Sequence, residues 1–155
     1  MEKLTTKDFA EYFRLALEAG LCRENEIEKW ADKMIIETNS PTPKWLLNLS
    51  IERETSINKL LEAVPGKANE NSVWNLLLAR IGIANRAKQL SRKQIVGILF
   101  RWAVDRTIPE KYWPDAYKLD DGFDGIQAGW YSEKQFMKDF EDFFVSFRSF
   151  ESLLP

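Results

Sequence analysis

Carboxylates are the side chains with the most chemical potential in this sequence. Near the C-terminus, Asp139, Glu141 and Asp142 follow one another closely. Two carboxyl groups can carry out general acid–base chemistry, as in glycoside hydrolysis, when a cleft gives them different environments. Nothing in the sequence indicates such a cleft, and on a helix that begins near residue 132, Asp139 and Asp142 would share a solvent-facing stripe. We therefore expect these carboxylates to be solvated surface charges.

A second acidic group combines three aspartates with two glycines, namely Asp120, Asp121, Gly122, Asp124 and Gly125. An EF-hand calcium loop needs oxygen ligands at loop positions 1, 3 and 5 and a glutamate at position 12. Counted from Asp120, position 3 is Gly122 and position 12 is Tyr131, so the ligand set is incomplete. We expect no metal site here. Two interpretations remain open: a cluster of turns with positive φ angles, or an exposed acidic patch for a basic partner.

Histidine is absent from the 155 residues, and Cys22 is the one cysteine. Ser-His-Asp and Cys-His catalysis, His-ligated zinc or haem, and imidazole pH switches are therefore excluded. A single cysteine excludes an internal disulfide and a thiolate-only zinc site, and it fits a reducing compartment. With no histidine to activate its thiol, we expect Cys22 to be a small buried or half-buried side chain. No phosphate-binding loop or dinucleotide motif is present, so we expect no cofactor.

Charge is distributed unevenly along the chain, although the formal net charge is only −2. Residues 66–118 contain 10 basic and 4 acidic side chains, whereas residues 119–155 contain 3 basic and 8 acidic ones. The basic block at 80–106 is the only support for an alternative function, a helical nucleic-acid-binding or adaptor protein. It consists of Arg80, Arg86, Lys88, Arg92, Lys93, Arg101 and Arg106. Because nucleic-acid domains usually carry a positive net charge, we expect instead that these side chains solvate helices and attract the acidic C-terminal segment.

Apolar residues recur at helical spacing over most of the chain. We predict a mainly all-α protein, a single domain over 1–155 built as a bundle of about six or seven helices. The first helix is expected to be capped by Thr5 or Thr6 and ended by Gly20, and the next lies at 24–35. Residues 45–51 are either a short helix, which we favour, or a strand-like link. Further helices are expected at 55–63 and 71–89, then one capped by Ser91 and one begun by a capping box at Ser132 and Gln135. No apolar run is long enough for a membrane span or a secretory signal, so we expect a cytoplasmic protein.

Two features do not fit this helical pattern simply. Residues 107–131 are predicted to be irregular but packed down by their aromatic side chains, with a minor β element allowed. Gly82 and Gly97 lie inside predicted helices, where each costs about 1 kcal/mol of helix propensity relative to alanine. We expect close helix packing to be the reason for both glycines.

Two segments of the chain carry a family resemblance. One is residues 11–35, EYFRLALEAGLCRENEIEKWADKMI, followed by PKWLLNLS at 43–50. The other is residues 108–144, IPEKYWPDAYKLDDGFDGIQAGWYSEKQFMKDFEDFF. Together they resemble the immunity proteins that bacteria encode beside toxins of polymorphic and contact-dependent growth-inhibition systems. The resemblance lies in the order of short sequence segments along the chain and includes no catalytic motif.

The resemblance implies a non-enzymatic inhibitor that binds the C-terminal domain of a cognate toxin. Toxins of this kind are often nucleases. The partner would be a protein, not nucleic acid or a membrane, and self-association is left open. An acidic patch would steer association with a basic toxin cleft, and aromatic side chains would anchor it. The candidate partner-binding residues are Asp120, Asp121, Asp124, Glu133, Asp139, Asp142, Trp113, Tyr117 and Trp130. The acidic residues of the second helix, Glu24, Glu26, Glu28 and Asp32, are the next candidates.

Overall fold

The computed structural model describes residues 3–39, 41–51 and 54–155. These residues contain eight α-helices, two 3-10 helices and no β-strand. The α-helices are α1 (Thr6–Glu18), α2 (Glu24–Glu37), α3 (Lys44–Ser50), α4 (Ile57–Glu62), α5 (Glu70–Arg86), α6 (Arg92–Val104), α7 (Trp113–Ala128) and α8 (Glu133–Val145). The 3-10 helices are Glu110–Tyr112 and Arg148–Leu153. The prediction of an all-α protein is confirmed. None of the described helices combines the length and apolar character that crossing a membrane requires.

The chain divides into two compact units. The N-terminal unit contains the residues up to Leu77 together with Pro155, and the C-terminal unit is Leu78–Leu154. The boundary lies inside α5, so this helix contributes residues to both units. That residues 1–155 form a single domain stays a prediction.

The N-terminal unit packs α1 against α4 and α2 against α3. Its core includes the rings of Phe13 and Trp30, whose centroids lie 5.2 Å apart. Helix α1 begins with a capping box, in which the Thr5 hydroxyl accepts a hydrogen bond from the Asp8 amide and the Asp8 carboxylate accepts one from the Thr5 amide. The same carboxylate accepts a 2.6 Å hydrogen bond from the amide of Asn69. A buried aspartate therefore joins the start of α1 to the residue that precedes α5.

The C-terminal unit packs α7 against both α6 and α8. Phenylalanines form the buried face of α8 and continue at Phe147, two residues after the helix ends. Neighbouring rings have centroids 4.9 to 6.0 Å apart. All five rings are buried: Phe136, Phe140, Phe143, Phe144 and Phe147. This aromatic face packs α8 into the core of the C-terminal unit.

Residues 107–131 differ from the prediction. They were expected to be irregular, with a minor β element allowed, but a 3-10 helix and the 16-residue helix α7 cover most of them. Pro114 lies in the first turn of α7. Proline is well tolerated there because the amide N–H that it lacks would have no partner inside the helix. The candidate residues of this segment therefore lie on a rigid helix, and their faces follow from their spacing.

The glycines that favoured a turn in this segment are needed for close packing. A Cβ on Gly125 would lie 2.7 Å from Tyr131 Cβ and 2.9 Å from Trp130 Cζ2, and one on Gly122 would lie 3.2 Å from Tyr131 Cε1. Both glycines are buried in the interior of α7. Gly129, with φ 83°, ends the helix and turns the chain back over them. The glycines thus make room for the aromatic pair that follows α7.

The two glycines predicted to allow close helix packing have different surroundings. Gly82 in α5 is buried, and a Cβ there would lie 3.7 Å from a ring atom of Phe144. Gly97 in α6 is exposed, and no described atom outside its own helix backbone lies within 4 Å of its Cβ position. The packing explanation is therefore wrong for Gly97, because nothing in the described part of the chain approaches it.

Two serines begin helices as predicted. Ser91 forms a full capping box with Gln94 at the start of α6. Ser132 caps α8 by accepting a 2.9 Å hydrogen bond from the amide of Gln135. The side chain of Gln135, however, donates to Asp139 at 2.9 Å instead of returning to the cap. The second half of the predicted box is thus replaced by a contact with a candidate site residue.

Candidate functional site

Four side chains share one face of α7 because they lie at i, i+3, i+4 and i+7. They are Tyr117, Asp120, Asp121 and Asp124, which we call the acidic face. Asp121 and Asp124 are exposed, and Asp120 is half-buried. None of the ion pairs between described residues includes these carboxylates. Burial, followed by the charges of Asp124 and Asp121, raises the pKa of Asp120. The acidic face is therefore a group of mutually repelling charges without a cation to offset them.

Asp139 on α8 is held by three neighbours. Tyr131 Oη donates a hydrogen bond to one carboxylate oxygen, while Gln135 Nε2 at 2.9 Å and Lys118 Nζ at 3.3 Å contact the other. The Asp139 side chain is only 8% exposed. Burial raises the pKa of Asp139, but the hydrogen bonds from Tyr131, Gln135 and Lys118 outweigh it and hold the pKa below its usual range. Asp139 is therefore an ionised carboxylate that joins α7, the following turn and α8.

A cleft of about 240 Å³ is lined by residues of α7, α8 and the segments next to them. Its charged groups are Asp115 and Lys118 from α7 and Asp139 and Asp142 from α8. The remaining lining is mostly aromatic and apolar, and it consists of Tyr112, Leu119, Phe143, Ser146 and Phe147. Asp142 also forms an exposed 3.2 Å ion pair with Lys138. The cleft thus combines aromatic and apolar walls with three carboxylates and one ammonium group, and two of those carboxylates, Asp139 and Asp142, form ion pairs with lysines.

The cleft gives little support to carboxylate catalysis. A general acid that works at neutral pH needs a raised pKa, and the pKa of Asp139 is lowered. Its oxygens are also occupied by three donors. The carboxyl group with a raised pKa is Asp120, which lies on the acidic face and not in the cleft lining. The two carboxylates therefore do not form an acid–base pair in one cavity.

The three candidate aromatic anchors have different surroundings. Trp113 is half-buried, donates a 2.9 Å hydrogen bond from its indole to the Ile108 carbonyl, and lies 5.8 Å below the guanidinium of Arg106. These contacts hold the start of α7. Tyr117 is 39% exposed and Trp130 is 66% exposed. Tyr117 and Trp130 therefore remain available to a partner, while Trp113 is engaged within the chain.

The candidate residues do not form one patch. Since an α-helix turns by about 100° per residue, Asp124 lies on the side of α7 opposite to Asp115, which lines the cleft. Asp120, Asp121, Asp124 and Tyr117 thus form the acidic face, while Asp139 and Asp142 line the cleft. Glu133 is exposed in the first turn of α8, where a negative charge suits the helix dipole. The sequence prediction of an irregular 107–131 segment did not separate the acidic face from the cleft residues, because side chains can be assigned to opposite faces only once the segment is known to be a helix.

Three residues of these surfaces were missed by the sequence reasoning. Asp115 and Lys118 line the cleft, and their i, i+3 spacing would have placed them together had α7 been recognised. Phe100 on α6 packs edge-on against Tyr117, with ring centroids 5.9 Å apart. The sequence does not distinguish the exposed Phe100 from the apolar core residues near it in α6.

The basic block at 80–106 is spread over α5, α6 and the connections after them. Arg86 pairs with Glu151 at 2.5 Å, in agreement with the expected attraction to the acidic C-terminal segment. Arg106 lies over the Trp113 ring. Two members of the block are therefore engaged in contacts within the C-terminal unit, which leaves a less continuous basic surface than the sequence suggested.

Cys22 is buried, and its Sγ lies 3.8 Å from the Phe13 carbonyl oxygen, so the expected buried side chain is confirmed.

Residues 120–128 are helical, which removes the calcium-loop geometry considered for them. Within residues 3–39, 41–51 and 54–155, His, Cys, Asp and Glu side chains form no group of three or more that could hold a metal ion. No protein-family model, curated protein or solved structure matches this chain.

Proposed function

We propose that this protein is an immunity protein that neutralises a cognate bacterial toxin domain by stoichiometric binding. The proposal starts from the resemblance of residues 11–35, 43–50 and 108–144 to such proteins. The observation that carries it is the acidic face, where three neighbouring carboxylates remain without an ion-pair partner among the described residues. Like charges on one helix face destabilise it, so a cationic partner would relieve that repulsion.

A basic toxin surface suits this arrangement. Uncompensated carboxylates on a rigid helix attract a positively charged partner from a distance and orient it during approach. The exposed rings of Tyr117 and Trp130 then provide apolar contact area, which is typical of residues that dominate binding energy. Toxins that act on nucleic acids carry basic clefts, so a nuclease domain is the partner class that this surface favours.

The mode of action is occupancy without turnover. The most buried carboxylate of the cleft, Asp139, is held by Tyr131, Gln135 and Lys118 and has a lowered pKa. Its contacts suit a fixed structural charge, since proton transfer would require them to be broken. Binding strength would then depend on complementary surfaces and not on a reacting group.

Co-expression with the product of the gene immediately upstream tests this proposal. We expect the wild-type protein to rescue growth and to co-purify with that product. A variant with Asp120→Asn, Asp121→Asn and Asp124→Asn should lose rescue, whereas a matched variant with Glu24→Gln, Glu28→Gln and Asp32→Asn on α2 should retain it. Loss in the α2 variant alone would move the binding surface to α2. Failure of the wild type to rescue and to co-purify would contradict the proposal.

The alternative function gives a different result. A protein that used the basic block to bind nucleic acid would show an affinity that falls steeply with salt. Fluorescence anisotropy with a labelled DNA duplex and a labelled single-stranded RNA would detect it. We expect no binding at physiological salt, because Arg86 and Arg106 are engaged and the net charge is −2.

A further inference from the structure

Gly97 occupies an unusual position in α6. It lies in the middle of a 13-residue helix, where glycine lowers helix stability relative to alanine. Gly125 is required because a Cβ would collide with Tyr131, and Gly82 faces Phe144. At Gly97 no described atom outside its own helix backbone lies within 4 Å of the Cβ position. Packing among the described residues therefore does not explain this glycine, and its open face can admit an atom of another molecule.

Apolar side chains extend from Gly97 along the same face of α6. Phe100 and Val104 follow at i+3 and i+7, and they are 37% and 54% exposed. Phe100 contacts Tyr117 of α7, which is 39% exposed. Gly97, Phe100, Val104 and Tyr117 form a surface that we call the apolar strip. From Gly97 to Val104 it spans seven residues, or roughly 10 Å, about two helical turns.

The acidic face borders the apolar strip. Tyr117 belongs to both, and Asp120 and Asp121 follow it by one turn of α7. Helices α6 and α7 pack together, and Phe100 contacts Tyr117 between them. Lys93, one turn before Gly97, is exposed at the end of the strip. Arg101, at i+4 from Gly97, is exposed on the same face of α6. The surface therefore has apolar side chains along α6, a carboxylate edge along α7 and two cationic side chains, Lys93 and Arg101, beside the apolar ones.

We propose that the apolar strip is the docking surface for an amphipathic basic helix of the partner, and this proposal rests on the proposed function. A glycine at a helix crossing lets two backbones approach closely, and helices pack over about the length of this strip. Apolar residues of the partner helix cover Phe100, Val104 and Tyr117. Its lysine or arginine side chains extend towards Asp120, Asp121 and Asp124, whose charges are otherwise uncompensated.

The probe for this proposal is a labelled synthetic 18-residue peptide with leucines on one helical face and lysines on the other. Fluorescence anisotropy measures its affinity for the full-length protein and its variants. We expect Gly97→Gln to raise the Kd at least tenfold, because the added side chain occupies the contact surface. The variant with Asp120→Asn, Asp121→Asn and Asp124→Asn should raise the Kd and reduce its salt dependence. A peptide with glutamates in place of the lysines should bind at least tenfold more weakly to the wild type.

Gly82→Ala is the matched control, since it changes a buried helical glycine away from the strip. It should leave the peptide affinity unchanged. Gly97→Ala should raise the thermal midpoint while weakening peptide binding, so that a loss of binding cannot be attributed to unfolding. Equal affinity of the wild type and Gly97→Gln, or no binding of the lysine peptide to the wild type, would overturn the proposal. Dimerisation of the wild type that Gly97→Gln abolishes would also overturn it, by assigning the strip to self-association.

The peptide experiment is separate from growth rescue. If the wild type binds the lysine peptide through the strip but does not neutralise the product of the upstream gene, the docking surface stands and the immunity function fails. If it neutralises that product while Gly97→Gln binds the peptide normally, the function stands and this docking surface fails.

Discussion

Tyr131 donates a hydrogen bond from its phenol to the carboxylate of Asp139. Tyr131 belongs to the turn that folds back over Gly122 and Gly125, and Asp139 lies on α8. Lys118 of α7 contacts the same carboxylate. One half-buried carboxylate therefore links α7, the following turn and α8 beside the cleft.

The Asp139→Asn variant should have a free energy of unfolding lower by about 1–3 kcal/mol near pH 7, because it loses charge-assisted hydrogen bonds. The pKa of Asp139 is lowered in the folded protein. Its stabilising contribution is therefore present above the unfolded-state pKa, about 3.9, and is lost as the pH falls through the folded value. Urea unfolding at several pH values should show the gap between wild type and variant narrowing below about pH 4.

The control for this prediction is Asp142→Asn, which removes an exposed pair with Lys138. It should change the free energy of unfolding by no more than about 0.5 kcal/mol. A gap between wild type and Asp139→Asn that widened towards acid pH would contradict the predicted role of Asp139.

Tyr131 should ionise at a higher pH than an ordinary tyrosine. Its hydrogen bond to Asp139, then burial and the charge of Asp139, raise the pKa of its phenol. Stability linked to this phenol is therefore present below about pH 10 and is lost as the pH rises through the folded value. NMR titration of ring-labelled tyrosine should show the Tyr131 pKa falling towards its usual value in Asp139→Asn. An unchanged Tyr131 titration in that variant would show that the hydrogen bond does not form.

Gly125→Ala should destabilise the protein, because its Cβ would meet Tyr131 Cβ at 2.7 Å and the Trp130 ring at 2.9 Å. Such overpacking typically costs about 1–3 kcal/mol. Gly97→Ala should instead stabilise it by about 0.5–1 kcal/mol, since the added methyl meets open space within a helix. Urea unfolding of both variants checks the contrast. Equal effects of the same sign would contradict the assignment of Gly125 as a packing glycine.

Asp8→Ala should lower the free energy of unfolding by at least about 2 kcal/mol. The Asp8 carboxylate is 1% exposed and accepts hydrogen bonds from the amides of Thr5 and Asn69, which would lose their buried acceptor. Thr5→Ala, which removes only the cap on α1, should cost about 1 kcal/mol. Thermal and urea unfolding measure the difference, and a smaller loss for Asp8→Ala than for Thr5→Ala would argue against the tie to Asn69.

Helical periodicity and caps were sufficient to predict the all-α fold, since Ser91 and Ser132 mark the starts of α6 and α8 and the phenylalanines of α8 lie on one face. Helix α7 was missed because its two internal glycines and four aspartates are individually poor helix formers. Their place in the helix depends on Tyr131 and Trp130, which pack against the glycines from the next turn.

The candidate site was predicted in part. Its carboxylates were identified by their clustering along the chain, but the division into the acidic face and the cleft depends on the orientation of α7. The low exposure of Asp139 depends on Lys118 and Tyr131, two residues brought to it by tertiary packing. The open surroundings of Gly97 likewise follow from the arrangement of helices, since a glycine in sequence looks the same whether it is covered or exposed.

Titration of the toxin domain's activity with increasing amounts of this protein tests the central proposal most directly. Stoichiometric neutralisation predicts a linear fall in activity that reaches zero at one equivalent and does not depend on the concentration of the toxin's substrate. Complete loss of activity at far less than one equivalent would indicate turnover. Full activity in the presence of several equivalents would contradict the proposal that this protein is an inhibitor of that toxin.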